Sequence, residues 1–187
     1  MEDADLARLC QKGDMGAFEE LFNKHQKQVF HISYRMTNNR EDASDLTQEI
    51  FLRAYQKIGK FDSRSSFSTW LYKLAVNLCI DELRKRKKSA NVLPLEEALA
   101  NADPDTPENL AILNDRERQV WEALDSLKEK ERVIIILKDI EGLSYDEIAK
   151  VFKCSLGRVK SRIHEARQKL KSVLEKKDEL WTDFEGV

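Results

Sequence analysis

Apolar residues recur every three or four positions along most of the chain, interrupted by short polar breaks. After Asp14, the series Phe18, Leu21, Phe22, Val29, Ile32 and Met36 has a roughly helical period and predicts an amphipathic helix. TNNRED (37–42) breaks it. Asp42 or Ser44 is then expected to cap a second helix reaching about Lys57, with Ala43, Leu46, Ile50 and Ala54 on one face. Gly59 and the run Asp62 to Ser66 form a polar connection. From about Ser66 to Lys88, the residues Phe67, Trp70, Leu71, Leu74 and Leu78 follow the i, i+3, i+4, i+7, i+11 series of a buried stripe. Residues 1–88 therefore read as one run of helices.

SANVLPLEEALANADPDT interrupts this order. It holds two of the three prolines and acidic charge only, and it reads as a linker over 89–106 with at most one helical turn at Leu95 to Leu99. Thr106-Pro107-Glu108 is a helix start: a capping hydroxyl, proline at the first helical position and acid in the first turn. Beyond it, Leu110, Leu113, Val120, Trp121 and Leu124 mark one helix, with a break near Asn114. Val133 to Ile140 marks a second, very apolar one that Gly142 ends. The VIIIL run has the composition of a strand, but its flanks are helix formers and no partner strand is evident. In GLSYDEIAKVFKCSLGRVKSRIHEARQKL, Ser144 with Glu147 makes a capping box, and Ile148 and Val151 face inward. Phe152-Lys153-Cys154 makes a tight turn, and Ser155 caps the next helix. Two helices joined by so short a turn are a helix-turn-helix. The fold class is all-α, in two small helical domains on a flexible acidic linker: 1–88, then 107–177, with a tail at 178–187.

The bulk numbers agree. The 187 residues are 41% hydrophobic and 35% charged with only 6 Gly and 3 Pro, a mixture that suits a helical protein. No apolar run is long enough to cross a bilayer, and the acidic MEDADLARLC start has no signal-peptide core, so a cytoplasmic protein without membrane insertion is expected. Cys10, Cys79 and Cys154 lack metal-ligand spacing and read as reduced, mostly buried thiols. His25, His31 and His164 are isolated in sequence. No nucleophile–base pair, metal cluster or phosphate loop is evident, so neither enzymatic chemistry nor a cofactor is expected.

Charge changes the picture at one place. The formal net charge is -2, yet residues 155–170 crowd basic side chains onto one helix. Leu156, Val159, Ile163, Ala166 and Leu170 fall on one side and are expected to pack on the core. Ser161 and Gln168 centre the other side, with His164 and Glu165 beside them and Arg158, Lys160, Arg162, Arg167 and Lys169 around them. Polar groups at the centre can meet base edges while basic ones at the margins meet phosphates. Ser155 and Gly157 leave amides open to a phosphate oxygen. Lys153 stands where many such turns carry glycine, and a positive φ there would cost lysine roughly 1 kcal/mol.

The stretch DASDLTQEIFLRAYQKIGKFDSRSSFSTWLYKLAVNLCIDELRKRKK (42–88) resembles region two of bacterial RNA polymerase sigma factors, and the C-terminal motif resembles their region four. With no domain between the two, the chain looks like a member of the extracytoplasmic-function (ECF) group of the sigma-70 family. The resemblance implies a factor that binds core RNA polymerase and directs it to promoter DNA, with an anti-sigma factor as a further partner. On the matching positions, it implies that Asp45, Gln48 and Glu49, with Phe51 and Arg53, bind core polymerase. Phe61, Ser63, Arg64, Ser65, Tyr72, Lys73, Asn77 and Arg84 would hold the minus-ten strand, since single-stranded DNA needs both charge and flat rings. Lys85, Arg86, Lys87 and Lys88 would add charge, whereas Phe67 and Trp70 lie on the buried stripe. Ser155, Gly157, Arg158, Lys160, Ser161, Arg162, His164, Glu165, Arg167 and Gln168 would address the minus-thirty-five element.

Two positions depart from the family. Housekeeping sigma factors carry adjacent tryptophans where this chain has Lys73-Leu74, which predicts a stringent promoter. Many relatives carry arginine where this chain has Glu165, which would accept from cytosine N4 or repel phosphate. Two other readings stay open: a helix-turn-helix regulator that acts without docking on polymerase, whose expected α/β receiver has no counterpart in the N-terminal half, and a helical decoy that never touches DNA.

Overall fold

In a computed structural model, which describes residues 1–90 and 115–184, every regular element is helical. α1 spans Asp3–Gln11, α2 Met15–Thr37, α3 Arg40–Lys57 and α4 Phe67–Ala90, with a 3-10 turn at Ile58–Lys60. The second half has α5 (Asp115–Asp125), α6 (Glu129–Ile135), a π turn at Ile136–Ile140, α7 (Tyr145–Phe152) and α8 (Leu156–Phe184). The expected turn at Leu95 to Leu99 and the Thr106-Pro107 helix start lie outside the described residues.

Local chemistry sets most boundaries. The Asp14 carboxylate accepts from the Ala17 amide at 3.1 Å, satisfying one of the donors that a helix start leaves open. α3 starts earlier than its composition suggests. Asn39, rather than Asp42 or Ser44, is its cap, and the Asn39 side chain accepts from the Asp42 amide at 2.9 Å. Asp42 sits instead in the first turn, where its charge opposes the helix dipole. The Ser144–Glu147 capping box forms in both directions, with amide-to-oxygen distances of 2.8 and 3.2 Å. The apolar segment after Val133 is helical as expected, but it begins at Glu129 and loosens into the π turn before Gly142 takes φ 72°.

Lys153 adopts φ 50° and ψ 51° as the C-terminal cap of α7, letting the Cys154 amide reach the Ala149 carbonyl at 3.0 Å. A Cβ is strained in that region, so Lys153→Gly is expected to stabilise the protein by about 1 kcal/mol in urea unfolding. No gain would mean that the turn relaxes away from positive φ in solution.

α1–α4 wrap one core in which Leu21, Ile32, Met36, Ile50, Phe67 and Leu71 are fully buried. α5–α8 wrap another around Leu124, Ile134, Ile136, Leu137 and Ile148. The two join into one continuous apolar cluster. α4 packs on α7 and α6, and α2 on α6 and the π turn. α1, which no sequence signal above assigned, is tied down twice. Asp3 Oδ2 lies 2.6 Å from the buried His25 Nε2, and the Gln11 amide donates to the Ile58 and Phe61 carbonyls at 3.0 and 2.7 Å. The cysteines are free thiols, with Cys10 and Cys79 buried and Cys154 half-buried. Burial pushes the Cys79 thiol up to about 11.

Candidate nucleic-acid and polymerase interfaces

α8 carries the most complete surface. Val159, Ile163 and Ala166 are buried and fix its rotation. Leu156, expected inside, is 41% exposed, because it sits at the first turn, beyond the reach of the core. With that rotation, Ser155, Gly157, Arg158, Lys160, Ser161, His164, Glu165, Arg167 and Gln168 face outward, and Arg162 is half-buried. A Cβ built on Gly157 would meet nothing within 4 Å, so the helix start is open to close approach. Ser155 Oγ accepts from the Arg158 amide at 3.4 Å, a weak cap.

The basic residues on α8 are not equivalent. Arg167 forms a two-pronged ion pair with Asp139 at the π turn, which raises its pKa through that hydrogen bond. Lys169 pairs with Glu131. Both partners come from elements distant in sequence, so helical periodicity could not find them. Gln168 Nε2 lies 3.0 Å from His164 Nε2, one turn apart on the same face. Arg158 and Lys160 stand at the exposed front, with Lys160 Nζ 5.9 Å from the Tyr145 ring centre.

On α3, Asp45 is exposed, and Glu49 pairs with Arg53 at 2.6 Å one turn on. Gln48 is exposed too, beside a shallow cleft that Phe22 and Thr47 help to line. Phe51 belongs elsewhere. It is 3% exposed and packs edge-on against Phe22, with ring centres 4.7 Å apart. It supports the helix from below and presents nothing to a partner. Arg86 is also corrected. Its guanidinium bonds to Asp42 and Glu82, and the Asp42 bond raises its pKa. It therefore joins α4 to α3 instead of offering free charge to DNA.

The loop before α4 keeps Ser63 and Arg64 exposed and Ser65 half-buried; Arg64 pairs with Asp62 at 2.8 Å. Asn77 and Arg84 are exposed and Lys73 is half-buried on α4. Two rings assigned to strand capture are buried. Phe61 is 6% exposed against Phe67 and Trp70, with centres 5.8 and 5.5 Å apart. Tyr72 is also 6% exposed and donates its hydroxyl proton to Gln28 Oε1 at 2.9 Å. Burial, with Glu141 and Glu147 nearby, pushes the Tyr72 phenol up to about 12. Gln11 pins the loop that carries Phe61, and Gln28 of α2 ties down the Tyr72 hydroxyl. Trp70 packs against the core, as its place on the stripe predicts, but stays half-buried beside Phe61.

Among the described residues, no group of three or more His, Cys, Asp or Glu is arranged to hold a metal ion. None of their helices is long and apolar enough to cross a membrane.

The family profile for sigma-70 region 2 matches residues 21–89, and that for sigma-70 region 4 matches residues 117–170. The ECF RNA polymerase sigma factor SigW of Bacillus subtilis is 36% identical over 171 residues, covering 87% of this chain and 91% of that protein. The ECF RNA polymerase sigma-E factor of Haemophilus influenzae is 34% identical over 186 residues, covering 94% and 96%. Among solved structures, CnrH in complex with the cytosolic domain of CnrY superposes with a TM-score of 0.71 at 25% identity, covering 93% of this chain and 97% of that one. The sigma factor RpoE of Bartonella quintana shares the fold, with a TM-score of 0.63 at 22% identity, covering 84% and 96%. Two matched regions in the order read from the motifs, and full-length relatives above 30% identity, make this chain a member of the ECF group of RNA polymerase sigma factors.

Proposed function

We propose that this sigma factor divides its work between the surfaces described above. The α3 face of the exposed Asp45, Gln48 and Arg53 with the half-buried Glu49 docks on core polymerase. Ser63, Arg64, Ser65, Lys73, Asn77 and Arg84 hold the minus-ten strand, and the Trp70 edge supplies the flat surface that Phe61 and Tyr72 do not offer. The front of α8 enters the minus-thirty-five major groove. Arg158 and Lys160 meet phosphates, Ser155 and Gly157 donate amides to one phosphate oxygen, and Ser161, His164, Glu165 and Gln168 face base edges. Arg162 and Arg167 flank them. The chain makes no bonds itself; the polymerase does. Two weak contacts on one tether give one tight contact when the tether spans both elements.

The observation that carries this reading is the rotation of α8. Its buried stripe of Val159, Ile163 and Ala166 leaves the polar residues of the helix start and front facing out. A partner is expected as well: both solved structures named above are complexes, CnrH with the cytosolic domain of CnrY and the sigma factor RpoE with the anti-sigma factor NepR. The reading also implies a cytoplasmic location, where polymerase and promoters are.

In vitro transcription on sheared genomic DNA, with core polymerase and with or without this protein, tests the assignment. New starts sharing two spaced elements are the expected result. Folded protein that yields none with competent core would refute it.

A further inference from the structure

No motif gives α1 a role, yet it is fastened onto the loop that the proposed function assigns to the minus-ten strand. Leu6, Ala7 and Cys10 lock its apolar face into the core. At its start, Asp3 Oδ2 meets the buried His25 Nε2 at 2.6 Å, and the His25 ring centre lies 5.4 Å from that of Phe67, the first residue of α4. At its end stands Gln11. Its Nε2 donates to the Ile58 and Phe61 carbonyls at 3.0 and 2.7 Å, 47 and 50 residues along the chain. Both partners are acceptors only, so the side chain must present its two amide protons there.

These bonds fall where the loop leaves α3. The Phe61 ring is seated on Phe67 and Trp70, and Gln11 fixes the direction of the Phe61 carbonyl. A peptide unit is planar, so holding that carbonyl also sets the path of the chain into Asp62. At the far end, Ser66 Oγ accepts from the Thr69 amide at 3.2 Å and joins the loop to α4. Between the anchors, Asp62 Oδ1 accepts from the Arg64 amide at 3.2 Å, and Ser63 takes φ 57°. A residue with a Cβ keeps that left-handed conformation only where its surroundings impose it. Asp62, Ser63 and Arg64 are exposed, so the imposition comes from the fixed ends and the Asp62 turn.

Resting on the minus-ten assignment above, we propose that Gln11 is a positioning residue for minus-ten recognition, whose two hydrogen bonds hold the 58–66 connection in the shape in which Ser63, Arg64 and Ser65 read the strand. Without those bonds the loop samples other shapes. Apparent affinity for the correct strand then falls with the fraction of chains in the reading shape. Binding through charge alone needs no particular loop shape, so affinity for a wrong sequence stays as it was. Gln11 therefore controls discrimination between sequences. Two hydrogen bonds of ordinary net strength bias the loop roughly 5- to 100-fold.

The test uses the full chain bound to core polymerase. Fluorescence anisotropy reads binding to a labelled single-stranded oligonucleotide carrying the minus-ten element mapped by transcription, and to one with the same bases permuted. Gln11→Met keeps the length of the side chain and deletes its donors. It is expected to lose roughly 5- to 100-fold of the wild-type preference, through weaker binding to the mapped strand alone. Gln11→Lys, which again offers a donor, is expected to keep most of that preference, and core-polymerase affinity is expected to be unchanged in both. Gln11 is exposed, so both variants are expected to fold; if Gln11→Met does not, Gln11→Glu, which also lacks the donors, takes its place. A wild-type preference in the donorless variant overturns the role of Gln11. Equal losses in Gln11→Met and Gln11→Lys, or weaker binding to both oligonucleotides alike, overturn it too. If wild type discriminates and Gln11→Met matches it, the minus-ten assignment stands and only Gln11 fails. If wild type itself shows no preference, the minus-ten assignment of the loop falls and Gln11 with it.

Discussion

Phe51→Ala is expected to lower the unfolding free energy by about 3–5 kcal/mol, whereas Asp45→Ala, on the same helix, is expected to leave stability within about 0.5 kcal/mol. Both positions fall in the helix proposed to dock on core polymerase, and the structure separates them. Phe51 fills the space between Phe22 and Phe18, so truncation opens a cavity that the helices cannot close. Asp45 stands in solvent. Its removal is expected to cost at least about 2 kcal/mol in core-polymerase binding, the scale of an interface hot spot. Urea unfolding and equilibrium binding to labelled core polymerase measure the two quantities. A stable Phe51→Ala protein that fails only in binding would place that ring at the interface instead of in the core.

The second large effect lies on α8. Arg158→Ala combined with Lys160→Ala is expected to weaken binding to the mapped minus-thirty-five element by roughly 2–4 kcal/mol, and to flatten the salt dependence by about 1 for each phosphate no longer neutralised. Arg167→Ala is expected to do less. Its guanidinium is already bonded to Asp139, and recruiting it to DNA means giving up that pair. Affinity measured across a salt series for wild type and the two variants checks the ranking. Equal weakening from Arg167→Ala would mean that the Asp139 pair opens freely, and unchanged binding in the double variant would favour the decoy reading over a DNA reader.

How much was legible in the sequence can be followed residue by residue. The helical class, the Ser144–Glu147 box, the left-handed Lys153 and the buried Val159, Ile163 and Ala166 all follow from interactions within a few residues. Capping, turn chemistry and the period of one helix are local, and a sequence reports local interactions directly. The buried Tyr72 and Phe61 do not follow. Tyr72 lies about 140° around α4 from Phe67, which places it outside that helix's own stripe, yet it is buried with its hydroxyl bonded to Gln28 of α2. Phe61 sits in a polar loop that only Gln11 of α1 explains. Arg86 reads as free charge until Asp42, far back in the sequence, is brought to it. The sequence by itself determined the helical class, most of the helices after α1, and which side of α8 is buried. The tertiary structure alone decided which rings and charges remain available, because availability depends on the element packed opposite, and helical period says nothing about that neighbour.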